Sequence, residues 1–170
     1  MENRITSNVV IEGAKLIFKN FSGKVNEYNR NGQRNFSVLL DDELAAKLEN
    51  DGWPVKYRKP REDDPEQYRQ PFLPVKVQFN MYPPTVVMVT SRGKRRLDES
   101  TIGQLDWSRI SNADVQIRPY NYPPINGKPA GVSAYLKSLY VTIIEDPLET
   151  KYADIPDLDG FSEMPFDVDE

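Results

Sequence analysis

The stretch Ala113-Asp114-Val115-Gln116-Ile117-Arg118-Pro119-Tyr120 sets Val115 and Ile117 on one side of an extended chain and Gln116 and Arg118 on the other. Successive side chains of a strand point to opposite faces, so a period of two reads as a strand with one face in a core and one in water. The same pattern recurs on both sides of it. Residues 13 to 21 set Ala14, Leu16 and Phe18 against Lys15, Ile17, Lys19 and Phe21, and Arg34 to Leu40 turns Phe36, Val38 and Leu40 inward. Between these two strands, Asn29-Arg30-Asn31-Gly32 holds an Asn-Gly hairpin signal. Val75, Val77 and Phe79 alternate with Lys76, Gln78 and Asn80; Val86 to Thr90 follows Pro83-Pro84; Val132 to Ile144 reads as a long final strand.

Two short helices interrupt the strands. Asp41 or Asp42 can cap a helix over about residues 42 to 50, with Leu44 and Leu48 one turn apart and Gly52 to end it. Asp98 caps a second one holding Ile102 and Leu105. Residues 60 to 71 are charged and carry three prolines, which reads as a solvated loop, and Ser91 to Arg96 reads as a basic turn. Six or seven strands with small helices indicate a mainly β domain, and a barrel and a sandwich both satisfy the pattern. Phe18, Phe36, Phe79 and Trp107 fall among apolar neighbours and are expected in the core.

Charge divides the chain in two. Residues 145 to 170 hold ten Asp or Glu against Lys151, a net of −9; residues 1 to 144 keep 21 basic and 16 acidic residues, a net of +5. A basic body with an acidic appendage points to a polyanion as partner. We therefore expect a domain over residues 1–144 and a flexible acidic tail over 145–170. Within the tail, Phe161, Met164 and Phe166 sit among acids such as Asp167 and Asp169, the pattern of a segment that docks apolar anchors into a basic-rimmed pocket. The same acids can occupy the chain's own cationic groove.

With no His and no Cys, the commonest general base, the Ser-His and Cys-His nucleophile pairs and the usual zinc ligands are missing. Absence of Cys also fits a reducing compartment. No cofactor is implied. Carboxylate chemistry survives, and the nearest pattern to a metal nuclease is Asp146 with Glu149-Thr150-Lys151. No stretch approaches the roughly 20 apolar residues that span a bilayer, and the N-terminus lacks the apolar run of a signal peptide, so neither membrane nor export is expected.

What the body does carry is cations interleaved with rings. Binding a single strand requires cations for phosphates and aromatic faces for bases. Tyr28 and Arg30 precede Arg34; Tyr57 and Lys59 follow Trp53; Arg118, Tyr120 and Tyr122 share one side of an extended chain and are followed by Tyr135 and Lys137. Arg92, Lys94, Arg95 and Arg96 surround Gly93 and would dominate the local potential.

Four segments then carry a resemblance. Asp51-Gly52-Trp53-Pro54-Val55-Lys56, Leu105-Asp106-Trp107, Ile117-Arg118-Pro119-Tyr120-Asn121-Tyr122 and Gly131-Val132-Ser133-Ala134-Tyr135-Leu136-Lys137-Ser138-Leu139-Tyr140-Val141 resemble the phage-encoded single-stranded DNA-binding proteins over roughly residues 9 to 144. The resemblance implies an OB-fold, a partly open five-stranded barrel, with extra strands and short helices here. It implies a non-enzymatic protein in the cytoplasm of an infected bacterium that protects exposed DNA during phage replication and recombination. Its partners would be single-stranded DNA and, through the tail, phage replication or recombination proteins. Bacterial relatives end in Asp-Ile-Pro-Phe; here Asp154-Ile155-Pro156 runs on into Asp157, so the terminal signal that recruits host proteins is not reproduced. An RNA-binding OB module and a β-sandwich adaptor of a virion are the competing readings.

Overall fold

The computed structural model describes residues 5–27, 29–59, 63, 64, 66, 68–156 and 158. Its elements follow in the order β1 (Val9–Ile11), β2 (Leu16–Asn20), β3 (Arg34–Leu39), α1 (Asp42–Asp51), β4 (Lys56–Tyr57), β5 (Pro71–Val77), β6 (Thr85–Thr90), β7 (Gly93–Leu97), a 3₁₀ turn over Ile102–Asp106, β8 (Ile110–Tyr122), β9 (Gly131–Ile143) and α2 (Pro147–Lys151).

β1 and β2 are two halves of one bent strand. Gly13, at φ +65°, makes the bend, in a backbone region that glycine enters without a Cβ clash. At the bend the chain changes partner: Ala14 N–H donates to Ala113 O (2.7 Å), while Lys15 O accepts from Leu39 N–H (2.9 Å). Pairing then runs β1–β8–β9–β5–β3–β2, so the sheet returns to the strand on which it began. A sheet closed on itself is a barrel, and this order, with β5 and β9 parallel, is the OB arrangement; a sandwich does not form. The seam is narrow, since β5 and β9 meet only at Lys76 opposite Tyr135. Beyond it β9 takes β6 as its parallel neighbour, and β7 hangs on β6 as an edge strand.

On β3, β5 and β8 the inward residues are those the alternation assigns, while on β9 a register shift between Leu136 and Ser138 breaks the period and sets Leu136 and Leu139, three apart, on the same side. Ala113, Val115 and Ile117 of β8 meet Leu136, Leu139 and Val141 of β9, with Phe36 and Val38 of β3 and Leu73 and Val75 of β5 opposite. Burying each large aliphatic side chain is worth about 1.5–3 kcal/mol, so this ring of apolar residues is what holds the barrel. α1 forms as its caps dictate: Asp41 accepts from Leu44 N–H (2.7 Å), Gly52 takes φ +105°, and Ala45 and Leu48 bury. Trp53, directly after it, enters the core at 3% exposure.

Four expectations are corrected. Phe18 is not core but 56% exposed, because a β-bulge in β2 turns it outward and Phe21 takes the interior place, stacked on Phe36 at 5.0 Å. Trp107 is 74% exposed. Ile102 and Leu105, three apart on a helix of three residues per turn, fill the inward side of the 3₁₀ turn, and Trp107 follows off that side. The strand expected from Val75 begins at Pro71, where Pro71 and Leu73 already point inward; the rest of the expected loop falls partly outside the described residues. The basic turn is mostly strand: the hairpin closes at Thr90 opposite Gly93, so Lys94, Arg95 and Arg96 lie in β7.

The chain past Ile144 does not leave the domain at once. Ser91 donates from its N–H (2.7 Å) and its hydroxyl (2.9 Å) to the carboxylate of Glu145, and Asp146 caps α2 by accepting from Leu148 N–H. Phe161, Met164, Phe166, Asp167 and Asp169 lie outside the described residues.

Candidate nucleic-acid interface

Register, rather than sequence proximity, assembles the site. Asn35 of β3 stands opposite Lys76 of β5, Lys76 opposite Tyr135 of β9, and Tyr135 opposite Arg118 of β8. These four positions alternate with buried neighbours, so they form one row across the outer wall of the barrel. Lys76 Nζ sits 5.8 Å from the centre of the Tyr135 ring, and the Arg118 guanidinium 5.0 Å from it. Tyr120, two residues along β8 and on the same side, meets Tyr135 edge to face at 6.0 Å. Tyr82, from the loop between β5 and β6, brings a further exposed ring 5.2 Å from Arg118. Cation and ring alternate here as Lys76, Tyr135, Arg118, Tyr82. Bases have a π-face to lay on such rings and phosphates a charge to set beside such cations.

The wall continues past this row. Arg96 of β7 stands opposite Val87, Val87 opposite Tyr140, and Tyr140 opposite Asp114. Asp114 lies four residues along β8 from Arg118, about 13 Å at ~3.3 Å per strand residue, so Arg96 faces the same side as the Arg118 row. Arg92, Lys94 and Arg95 line a cleft with Glu145, Asp146 and Glu149, where the first acids of the tail meet the basic hairpin.

Other expected residues stand apart from the row. Arg34 is at an inward position of β3, at the barrel's end. Its guanidinium lies over the Phe79 ring (5.7 Å) and pairs with Glu99 (3.5 Å), so its charge is answered within the fold. Tyr57 donates its hydroxyl to Glu49 of α1 (2.9 Å), and that hydrogen bond to a carboxylate raises the pKa of the phenol. Tyr122 lies on the right side of β8 but lays its hydroxyl over Gly131, where a Cβ would collide with it, so that ring packs the end of the β8–β9 hairpin. Arg30, Lys59 and Lys137 are exposed; Tyr28 lies outside the described residues. Lys76 and Tyr82 are the residues the sequence reading missed. Lys76 alternates with Val75 and Val77, a signal that placed it outward; nothing in the sequence set it beside Tyr135. Among the described residues no three Asp or Glu converge as a metal site, and Asp146 is engaged in capping α2.

A closed OB barrel with exposed rings and cations alternating across its outer wall is the architecture of a single-strand-binding protein. The family model described as "Putative phage ssDNA-binding domain" matches residues 1–165, and the chain belongs to that family. Among solved structures it is similar to the single-stranded DNA-binding protein from bacteriophage Enc34 (10% identity, TM-score 0.51, 86% of this chain and 90% of that one). A C-terminal truncation of the same protein gives 11% identity and a TM-score of 0.51 over 82% of this chain and 87% of that one. The Enc34 protein in complex with ssDNA gives 11% and 0.50 over 82% and 88%. At such identity the likeness is one of fold. No curated protein matches the chain by sequence.

Proposed function

We propose that this chain binds single-stranded DNA along the outer wall of its barrel, without strict sequence preference, and so shields exposed strands during phage replication and recombination. The observation that carries this reading is the row Lys76, Tyr135, Arg118 and Tyr82, in which two cations alternate with two rings. Stacking accepts any base because every base has a face, while duplex DNA keeps its bases stacked on each other and offers only phosphates. Tyr120 extends the platform along β8, and Arg96 extends the cationic side onto β7. The reading is of a binding protein, not an enzyme.

The acidic tail restrains that binding. Its root is fastened by Glu145 to Ser91, at the tip of the hairpin that bears Arg92 to Arg96. Tethering makes binding of the tail acids to those cations intramolecular, with a high effective concentration, so they compete with phosphates. Fluorescence anisotropy with dT, duplex and RNA oligomers across a salt series tests the reading. The expected result is strong preference for single strands and affinity that falls with salt; preference for RNA over DNA of equal length would instead mark an RNA-binding module.

A further inference from the structure

The aromatic ring on β2 is exposed and packs no part of the core. Ile17 pairs with Ser37 and Asn20 with Asn35, so Phe18 and Lys19 together oppose Phe36 alone. Phe18 is the first residue of this bulge and has φ +52°. In bulges of this geometry that place belongs to glycine, since a bulky side chain in the left-handed region is strained. The strain has an outcome: a ring that alternation would send into the core is turned onto the outer wall. Strained backbone kept against its local cost clusters at binding sites, and here the ring itself supplies the reason.

Its neighbours complete the case. Phe18 meets Phe72 edge to face at 5.5 Å, and the Arg58 guanidinium lies 5.5 Å from the Phe18 ring centre. Phe72 is an outward residue of β5, opposite Lys56 of β4. Lys76 lies four residues along the same side of β5, about 13 Å away at ~3.3 Å per residue. The Phe18 cluster therefore stands on the same wall as the Tyr135 row and repeats its composition, ring beside ring with cations alongside.

We propose that Phe18 is a second base platform, on which an unpaired base of the strand already held at Tyr135 stacks, with Arg58 and Lys56 meeting the flanking phosphates. This rests on the single-strand-binding reading and extends the bound path from β8–β9 across β5 to β2. The backbone itself supplies the test. Phe18→Gly removes the ring with its contacts to Phe72 and Arg58 but relieves the left-handed strain, so the full chain should stay folded with little change in melting temperature. Its affinity for an oligothymidylate of about 20 nucleotides, long enough for the ~4–16 nucleotides an OB fold covers, should fall roughly 5- to 150-fold. Phe18→Trp should restore binding. Wild-type affinity in Phe18→Gly, at any melting temperature, would overturn the inference, as would weak binding by a stably folded Phe18→Trp. Arg118→Ala is the control: if it weakens binding while Phe18→Gly does not, this inference alone fails, and if the wild type ignores single strands the underlying reading fails with it.

Discussion

Tyr135→Ala removes the ring at the centre of the row, which touches Lys76, Arg118 and Tyr120 at once. Two losses follow, and their sizes separate them. Stacking of one base is worth about 1–3 kcal/mol, so affinity for a single strand should fall roughly 5- to 150-fold. Stability should fall less than for a core deletion. Tyr135 faces outward and is only half-buried, so the fold loses one edge-to-face pair, worth about 0.5–1.5 kcal/mol, and two exposed cation–π contacts of about 0.5–1 kcal/mol each. A core ring truncated to Ala costs about 3–5 kcal/mol. Anisotropy with a dT oligomer gives the first quantity and thermal melting by circular dichroism the second. Arg118 shares the ring, so the double variant with Arg118→Ala should lose less than the sum of the two single losses. Unchanged affinity per folded molecule in Tyr135→Ala would refute the reasoning, because it would leave the ring as packing.

Arg118→Ala should weaken binding and flatten the log–log salt slope by about 0.7, the share of one phosphate on a single strand, measured by the same titration in salt. Removing residues 152–170, which keeps Glu145 and α2, should tighten binding most at low salt and little at high salt, where screening has already loosened the tail; unchanged affinity at every salt would make the tail an independent arm. Leu139→Ala, in the middle of β9 and fully buried, should lower stability by about 2–5 kcal/mol in a denaturant melt and leave affinity per folded molecule unchanged. Asp98 receives hydrogen bonds from Ser100 and Thr101, which hold its carboxyl below the usual range. A lowered folded-state pKa means stability that is present above the unfolded value, about 3.9, and is lost as pH falls through the folded one. Asp98→Asn should therefore melt lower at neutral pH and lose less than the wild type below pH ~4.

Most of the strands and α1 were legible because local rules decide them, whereas β1 went unread and β7 was read as a turn. Alternation named the apolar sides of β3, β5 and β8, and Asp41 and Gly52 bounded α1 as caps do; β9 was read only as a strand, since its register shift breaks the period. Phe18 was not legible. Whether it points in or out depends on a bulge set by the register of β2 against β3, and the sequence period says only that Leu16 and Phe18 would share a side. Trp107 fails for a similar reason: Ile102 and Leu105 take the inward side of a turn whose pitch is three, not two. At the site, Arg118 and Tyr120 were found because they are two apart on one strand. Lys76 and Tyr135 are joined by a parallel bridge, and Arg34 is neutralised by Glu99, 65 residues away in sequence, and pairings at that range leave no local trace. Tyr57 looked like a stacking ring until α1 brought Glu49 to its hydroxyl.

The central claim, that the outer wall holds unpaired bases by stacking and phosphates by charge, is tested most directly by one titration: anisotropy of the full chain against a dT oligomer and a duplex of equal length across a salt series. The account predicts strong preference for the single strand and a log–log salt slope of about −2 to −4, from roughly −0.7 for each of three to six phosphates. Equal affinity for the two, or affinity that ignores salt, would contradict it.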